Sequence, residues 1–126
     1  MPLHRALLLT HHMTSRRKIA TIHKHTKRLS ITLVLKTGRP PGIMLAEAMT
    51  HDAIAQWVGC VRRLRYKDFR VAKIEEVIEG GAGGLKPGGN GQVREFEEMK
   101  ELGAYLEECG IWQWWREHMG FAKSGS

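Results

Sequence analysis

The chain carries 126 residues, with 20 Lys and Arg against 13 Asp and Glu, for a formal net charge of +7 at pH 7. That length fits one domain with a substantial core, residues 1–126, and leaves too little chain for two. Cys60 and Cys109 form no CxxC pair, which suits a reducing compartment where thiols stay free and a disulfide framework is unnecessary. The longest early apolar run, Ala6 to Leu9, falls far short of the roughly 20 residues that span a membrane and lacks a signal cleavage pattern. A nuclear or cytoplasmic location with no membrane association is the resulting expectation.

The charge is divided along the chain. Residues 1–73 hold 15 Lys and Arg against Glu47, Asp52 and Asp68, a net +12, whereas the remainder is net −5. A basic front attracts polyanions over roughly 8 to 10 Å at physiological salt, and nucleic acid is the commonest intracellular one. The competing reading is a solubilising surface.

In chain order, Arg5 to Thr10 is a compact apolar stretch that predicts a buried strand. Thr14 or Ser15 then caps a helix reaching Leu29, with Ile19, Ile22, Thr26 and Leu29 on one face. Arg16, Arg17, Lys18, Lys24, Lys27 and Arg28 lie off that stripe and face solvent. Ile31 to Leu35 and Ile43 to Ala46 read as strands, joined by the turn-rich segment from Lys36 to Gly42. From His51 to Leu64 the helical period returns, with Ile54, Trp57, Val58, Val61 and Leu64 inward and Asp52 beside the positive end of the helix dipole. Phe69, Val71 and Ile74 predict a final strand with Arg70 and Lys73 toward water. The order is β-α-β-β-α-β, an α+β domain.

Residues 80–91 hold seven glycines in twelve positions, so a flexible loop that buries nothing is expected. Met99, Leu102, Leu106 and Cys109 mark a third helix stopped by Gly110, and Ile111 to Met119 a further turn, together a helical appendix over residues 97–121. Trp112, Trp114 and Trp115 concentrate aromatic area there, as core anchors or as a surface for protein partners. The acids Glu95, Glu97, Glu98 and Glu101 read as dipole complement at that helix's N-terminus.

Enzymatic patterns are incomplete. Of the two His-x-Thr/Ser triplets a phosphoesterase needs, His12-Met13-Thr14 is the single match. Lys86 is followed by Pro87, so the glycine stretch is no P-loop. His11-His12 and His23-x-His25 lack nearby partners for a tetrahedral metal site. No catalytic residue, metal or cofactor is expected.

His11-His12, the basic helix 15–29, Gly38-x-Pro40-Pro41-Gly42-Ile43-Met44, Glu47, Trp57, Arg62-Arg63-Leu64-Arg65 and the closing Leu102, Leu106, Gly110, Trp115 and Gly120-Phe121 carry a resemblance. The chain resembles the C-terminal domain shared by RWD-domain-containing protein two and pre-mRNA processing factor three of the spliceosomal tri-snRNP, from about Leu3 to Phe121. It departs from that pattern in standing without an RWD domain and in carrying Tyr66 where the family often has tryptophan, and Ala48 where it has glycine. The resemblance implies a ferredoxin-like fold and a noncatalytic module. In the splicing factor that domain binds small nuclear RNA, whereas in the RWD proteins its role is poorly defined.

Gly42 to Ala48 contains no Phe or Tyr, so base stacking of the kind used by RNA-recognition motifs is disfavoured. Phosphate contacts are expected instead, from Arg16, Arg17, Lys18, Lys24, Lys27 and Arg28 and from Arg62, Arg63, Arg65, Lys67 and Arg70. His11 and His12 are candidates to stack on a base or bond a phosphate, or else cap the strand. The alternative function is a protein-interaction module with no RNA role, using Trp112, Trp114 and Trp115.

Overall fold

The computed structural model describes residues 2–78, 84–85 and 92–120. Its elements are β1 (Pro2–Thr10), α1 (Arg16–Arg28), β2 (Thr32–Lys36), β3 (Gly42–Ala48), α2 (His51–Arg62), β4 (Arg70–Ile78), β5 (Val93–Phe96), α3 (Met99–Glu108) and α4 (Trp112–Met119). One five-stranded sheet runs β4-β1-β3-β2-β5. Its pairs are antiparallel except β2 with β5, which is parallel. The first six elements, with strands in the order β4-β1-β3-β2, make the expected ferredoxin-like α+β sandwich.

Alternation along the central strands divides their side chains between two cores. Ala6, Leu8, Met44, Ala46 and Ala48 pack with the buried faces of α1 and α2, among them Ile19, Ile22, Ile54, Trp57 and Val61. The Trp57 indole N–H donates to Thr26 Oγ1 at 2.9 Å, and that hydroxyl donates to the Ile22 carbonyl at 2.7 Å, so the polar atoms between the helices are paired. Each helix begins on its own cap: Ser15 Oγ accepts from the Lys18 N–H, and Thr50 Oγ1 from the Ala53 N–H.

Leu7, Leu9, Ile43 and Leu45 face the other way, against Leu102, Leu106, Ile111 and Trp115. The helices expected as an appendix are therefore the third layer of the domain, and β3 is buried along its whole length. Trp115 is 2% exposed, Trp114 is half-buried and Trp112 is 36% exposed, so the aromatic cluster divides between core and surface. The same face holds an ion pair between cross-strand partners, Arg5 Nε to Glu47 Oε2 at 2.7 Å, both buried. The Arg5 guanidinium lies 4.9 Å from the Trp114 ring centroid.

Four expectations are corrected. The first strand begins at Pro2, earlier than its apolar run, because its polar residues have partners in β3 and β4. Val93–Phe96 is a strand, β5, that four residues of weak alternation could not announce; Glu95 thus belongs to a sheet edge and not to a helix end. Ile74, expected inward, is 39% exposed. Leu7 pairs with Lys73 and Leu8 with Val71, leaving Ala72 as a bulge that shifts the strand's alternation at the sheet margin. The loop 80–91 lies outside the described residues except for Gly84–Leu85, and Leu85 packs on the second core while its N–H donates to Glu47 Oε1 at 2.9 Å.

Candidate nucleic-acid interface

The C-terminal end of β1, the start of α1 and the segment after α2 meet at a cleft of about 220 Å³ lined by His12, Thr14, Ser15, Lys18, Arg65, Tyr66 and Lys67. Backbone pairing holds these segments together. The His11 N–H donates to the Lys67 carbonyl at 2.9 Å, and the Gly42 N–H donates to the His11 carbonyl at 2.8 Å. Gly42 permits this closeness, because a Cβ there would overlap the Thr10 hydroxyl and the Met13 side chain. Arg65 and Asp68 adopt left-handed backbone with φ of 56°. A non-glycine residue pays about 1 kcal/mol or more for that conformation, and the resulting turn brings Arg65 to Lys67 to the mouth of α1.

Charge in the cleft has one sign. Among the described residues, Lys18, Arg65 and Lys67 form no ion pair with a carboxylate and no acid lines the cleft. The first turn of α1 holds no acid either, so the positive end of its dipole adds to the same field. Lys18 Nζ is 4.9 Å from the Tyr66 ring centroid. The Tyr66 hydroxyl is buried with no described hydrogen-bond partner, and burial pushes its pKa up to about 12. Such an arrangement of cations, hydroxyls and helix N–H groups is suited to binding an anion.

Arg65 also borders a second groove of about 520 Å³ with Arg62 and Arg63. Arg62 stacks on Phe69 at 5.2 Å. Arg63 donates to Cys60 Sγ at 3.4 Å, and Arg28 reaches the same sulfur at 3.7 Å as well as His25 Nδ1 at 3.0 Å. Burial first, then Arg28, Lys24 and Arg63, hold His25 below the usual imidazole range, so this corner adds no further protonated charge at neutral pH.

The structure thus groups some sequence candidates and disperses others. His12, Lys18, Arg65 and Lys67 share the cleft, with Arg62 and Arg63 in the adjoining groove. Arg17, Lys24 and Lys27 are exposed on α1, and Arg70 is exposed at the start of β4, all away from the cleft lining. His11 is half-buried, its Nδ1 without a described partner, and stands 5.1 Å from the His12 ring without lining the cleft. Arg16 is engaged: it donates to Glu95 at 3.0 and 3.3 Å, and His23 meets the same carboxylate at 2.7 Å. Sequence reasoning overlooked Thr14, Ser15 and Tyr66 as lining residues; a serine cap opening an acid-free basic helix is the signal that pointed there.

No protein-family model and no curated protein matches the sequence. Among solved structures the fold resembles a bacterial light-regulated adenylyl cyclase at TM-score 0.55 and 15% identity, covering 90% of this chain and 35% of that one. The chain therefore spans about a third of that protein's length, and at such identity the likeness concerns the fold alone. Acylphosphatase from Bacillus subtilis aligns at TM-score 0.44 and 11% identity over 78% of this chain and 99% of that chain. A structure described as the BlsA ground state aligns at 0.49 and 8% over 87% and 74%.

Proposed function

We propose that this domain is a noncatalytic RNA-associated module that grips the phosphate backbone at the α1 cleft and the adjoining arginine groove. The observation that carries the reading is the convergence of Lys18, Arg65 and Lys67 on one helix N-terminus with no described carboxylate to neutralise them. Unopposed like charges at one site repel each other, and a polyanion relieves that repulsion. The sheet face that RNA-recognition motifs use for stacking is covered here by α3 and α4, which agrees with contacts made through charge. A link to small nuclear ribonucleoproteins or splicing belongs to this proposal through the resemblance in sequence.

The test measures binding of fluorescent single-stranded and structured RNA over a salt series, for the intact chain and for Lys18→Ala/Arg65→Ala/Lys67→Ala. Salt-sensitive binding that the triple change weakens and Lys24→Ala/Lys27→Ala spares is the expected outcome. Failure of either RNA to bind at low micromolar protein in low salt overturns the reading.

The second reading is a protein-interaction module. It is favoured by Trp112, which at 36% exposure lines a groove of about 410 Å³ with Met99, Ala104 and Trp115 between α3 and α4. Trp112→Ala separates the two, since it leaves RNA binding intact if phosphates are held at α1.

A further inference from the structure

We propose that the outer edge of β4 pairs with the same edge of a second copy of this chain, antiparallel and centred on Ile74. β4 is the terminal strand of the sheet on its side, nine residues long, and among the described residues its only strand partner is β1. A long edge leaves a row of unpaired N–H and C=O groups, which proteins ordinarily blunt by placing charges on it. Here the charges are of both signs, and their order along the strand decides whether they block pairing or support it.

Two sheets that join with their faces continuous do so about an axis through a residue paired with its own copy, because side chains alternate with period two. With Ile74 at the centre, Lys73 of each copy stands opposite Glu75 of the other, twice, and the matched stretch ends at the Ala72 bulge, beyond which the alternation of β4 is reversed. Ile74, one of three large apolar side chains exposed among the described residues, meets its own copy. Neighbouring registers lose this match: centring on Lys73 sets the two lysines against each other, and centring on Glu75 sets two glutamates together and Ile74 against Glu76. Charge complementarity and the exposed isoleucine therefore select one register. Within one copy Lys73 Nζ approaches Glu75 Oε1 at 3.7 Å on the same face of the strand, while Glu75 Oε2 accepts from the Trp114 indole N–H at 2.6 Å, so the carboxylate is held in place and Oε1 is the oxygen that meets a lysine across the edge.

The interface is small, and small interfaces associate weakly and reversibly. Sedimentation velocity of the intact chain, from low to several hundred micromolar, is the measurement, with far-UV circular dichroism to confirm that each variant folds. Concentration-dependent dimer is expected, weakened about tenfold or more by Lys73→Glu and by Ile74→Lys. Adding Glu75→Lys to Lys73→Glu inverts both pairs, keeps them complementary, and is expected to restore association. A monomer at every concentration overturns the proposal. So does a dimer that ignores the single changes, or one that Lys73→Glu weakens and the double change fails to restore in a folded variant.

Discussion

Lys18 Nζ stands 4.9 Å from the centre of the Tyr66 ring, joining the first turn of α1 to the segment that follows α2. The contact places a cation at the mouth of a cleft lined also by Thr14 and Ser15, where no described carboxylate pairs with that ammonium. A cation over a ring face gains on the order of 0.5 to 1 kcal/mol when partly exposed, enough to orient it without neutralising it.

If the cleft meets phosphates, the salt dependence of RNA binding counts the contacts. Each phosphate neutralised on a single strand contributes about 0.7 to the slope of log affinity against log salt. Replacing Lys18, Arg65 and Lys67 by alanine is expected to lower that slope by about 2 units. An equal loss from Lys24→Ala/Lys27→Ala would place the contacts elsewhere on α1.

The Tyr66 phenol is pushed up to about 12 by burial. A pKa raised in the folded state means that the neutral form supports the fold below the unfolded value near 10. That support is lost as pH rises from there through about 12, on the order of 3 kcal/mol in all. Absorbance at the phenolate band should show a late transition that Tyr66→Phe removes, and the wild type should lose stability in that alkaline window relative to the variant.

Glu95 behaves in the opposite sense. Chiefly the hydrogen bond from Arg16, with help from His23 and against burial, holds its carboxyl below the usual carboxylate range. Its contribution is therefore present above the ordinary value near 4.5 and is lost as pH falls through the lower folded value. Thermal denaturation of Glu95→Gln should fall slightly below wild type at neutral pH and converge with it in acid. The same change releases Arg16, so RNA affinity should rise a few-fold and the salt slope by about 0.7.

The Arg5–Glu47 pair lies on the second core face, beneath Trp114 and Leu85. Glu47→Ala removes the carboxylate that meets Arg5 Nε and the acceptor of the Leu85 N–H, and should lower stability by about 2 kcal/mol or more in urea unfolding. Arg5→Met with Glu47→Leu replaces both charges by apolar volume and should cost much less than the single change.

For the tryptophans, Trp115→Ala removes a side chain from the second core and should cost about 3 to 5 kcal/mol. Trp112→Ala, on the surface groove, should cost under about 1 kcal/mol. Equal losses would mean that Trp112 anchors the core as well.

The α1 and α2 faces and the four strands of the sandwich were legible in the sequence because each is set by local periodicity: Ile19, Ile22 and Thr26 at helical steps, and Ile43 to Ala46 in an unbroken apolar run. β5 was not, since Val93–Phe96 becomes a strand through its parallel pairing with Leu33 to Lys36. The exposure of Ile74 depends on a bulge in the pairing with β1, which no pattern within β4 records. The site was half legible. Its cations were identified by charge, but Lys67 and Lys18 are 49 positions apart in sequence, and their shared cleft comes from the turn at Arg65 and the close approach at Gly42.

What the sequence by itself determined is the element order, the basic front and the capped, acid-free start of α1, because propensity, periodicity and charge are properties of neighbouring residues. Only the tertiary structure decided that Arg16 is tied to Glu95, that α3 and α4 close the second sheet face, and that Lys18, Arg65 and Lys67 meet with no counter-charge among the described residues. Those outcomes depend on strand order and on chain reversals between distant residues, and electrostatics acts through distance in space.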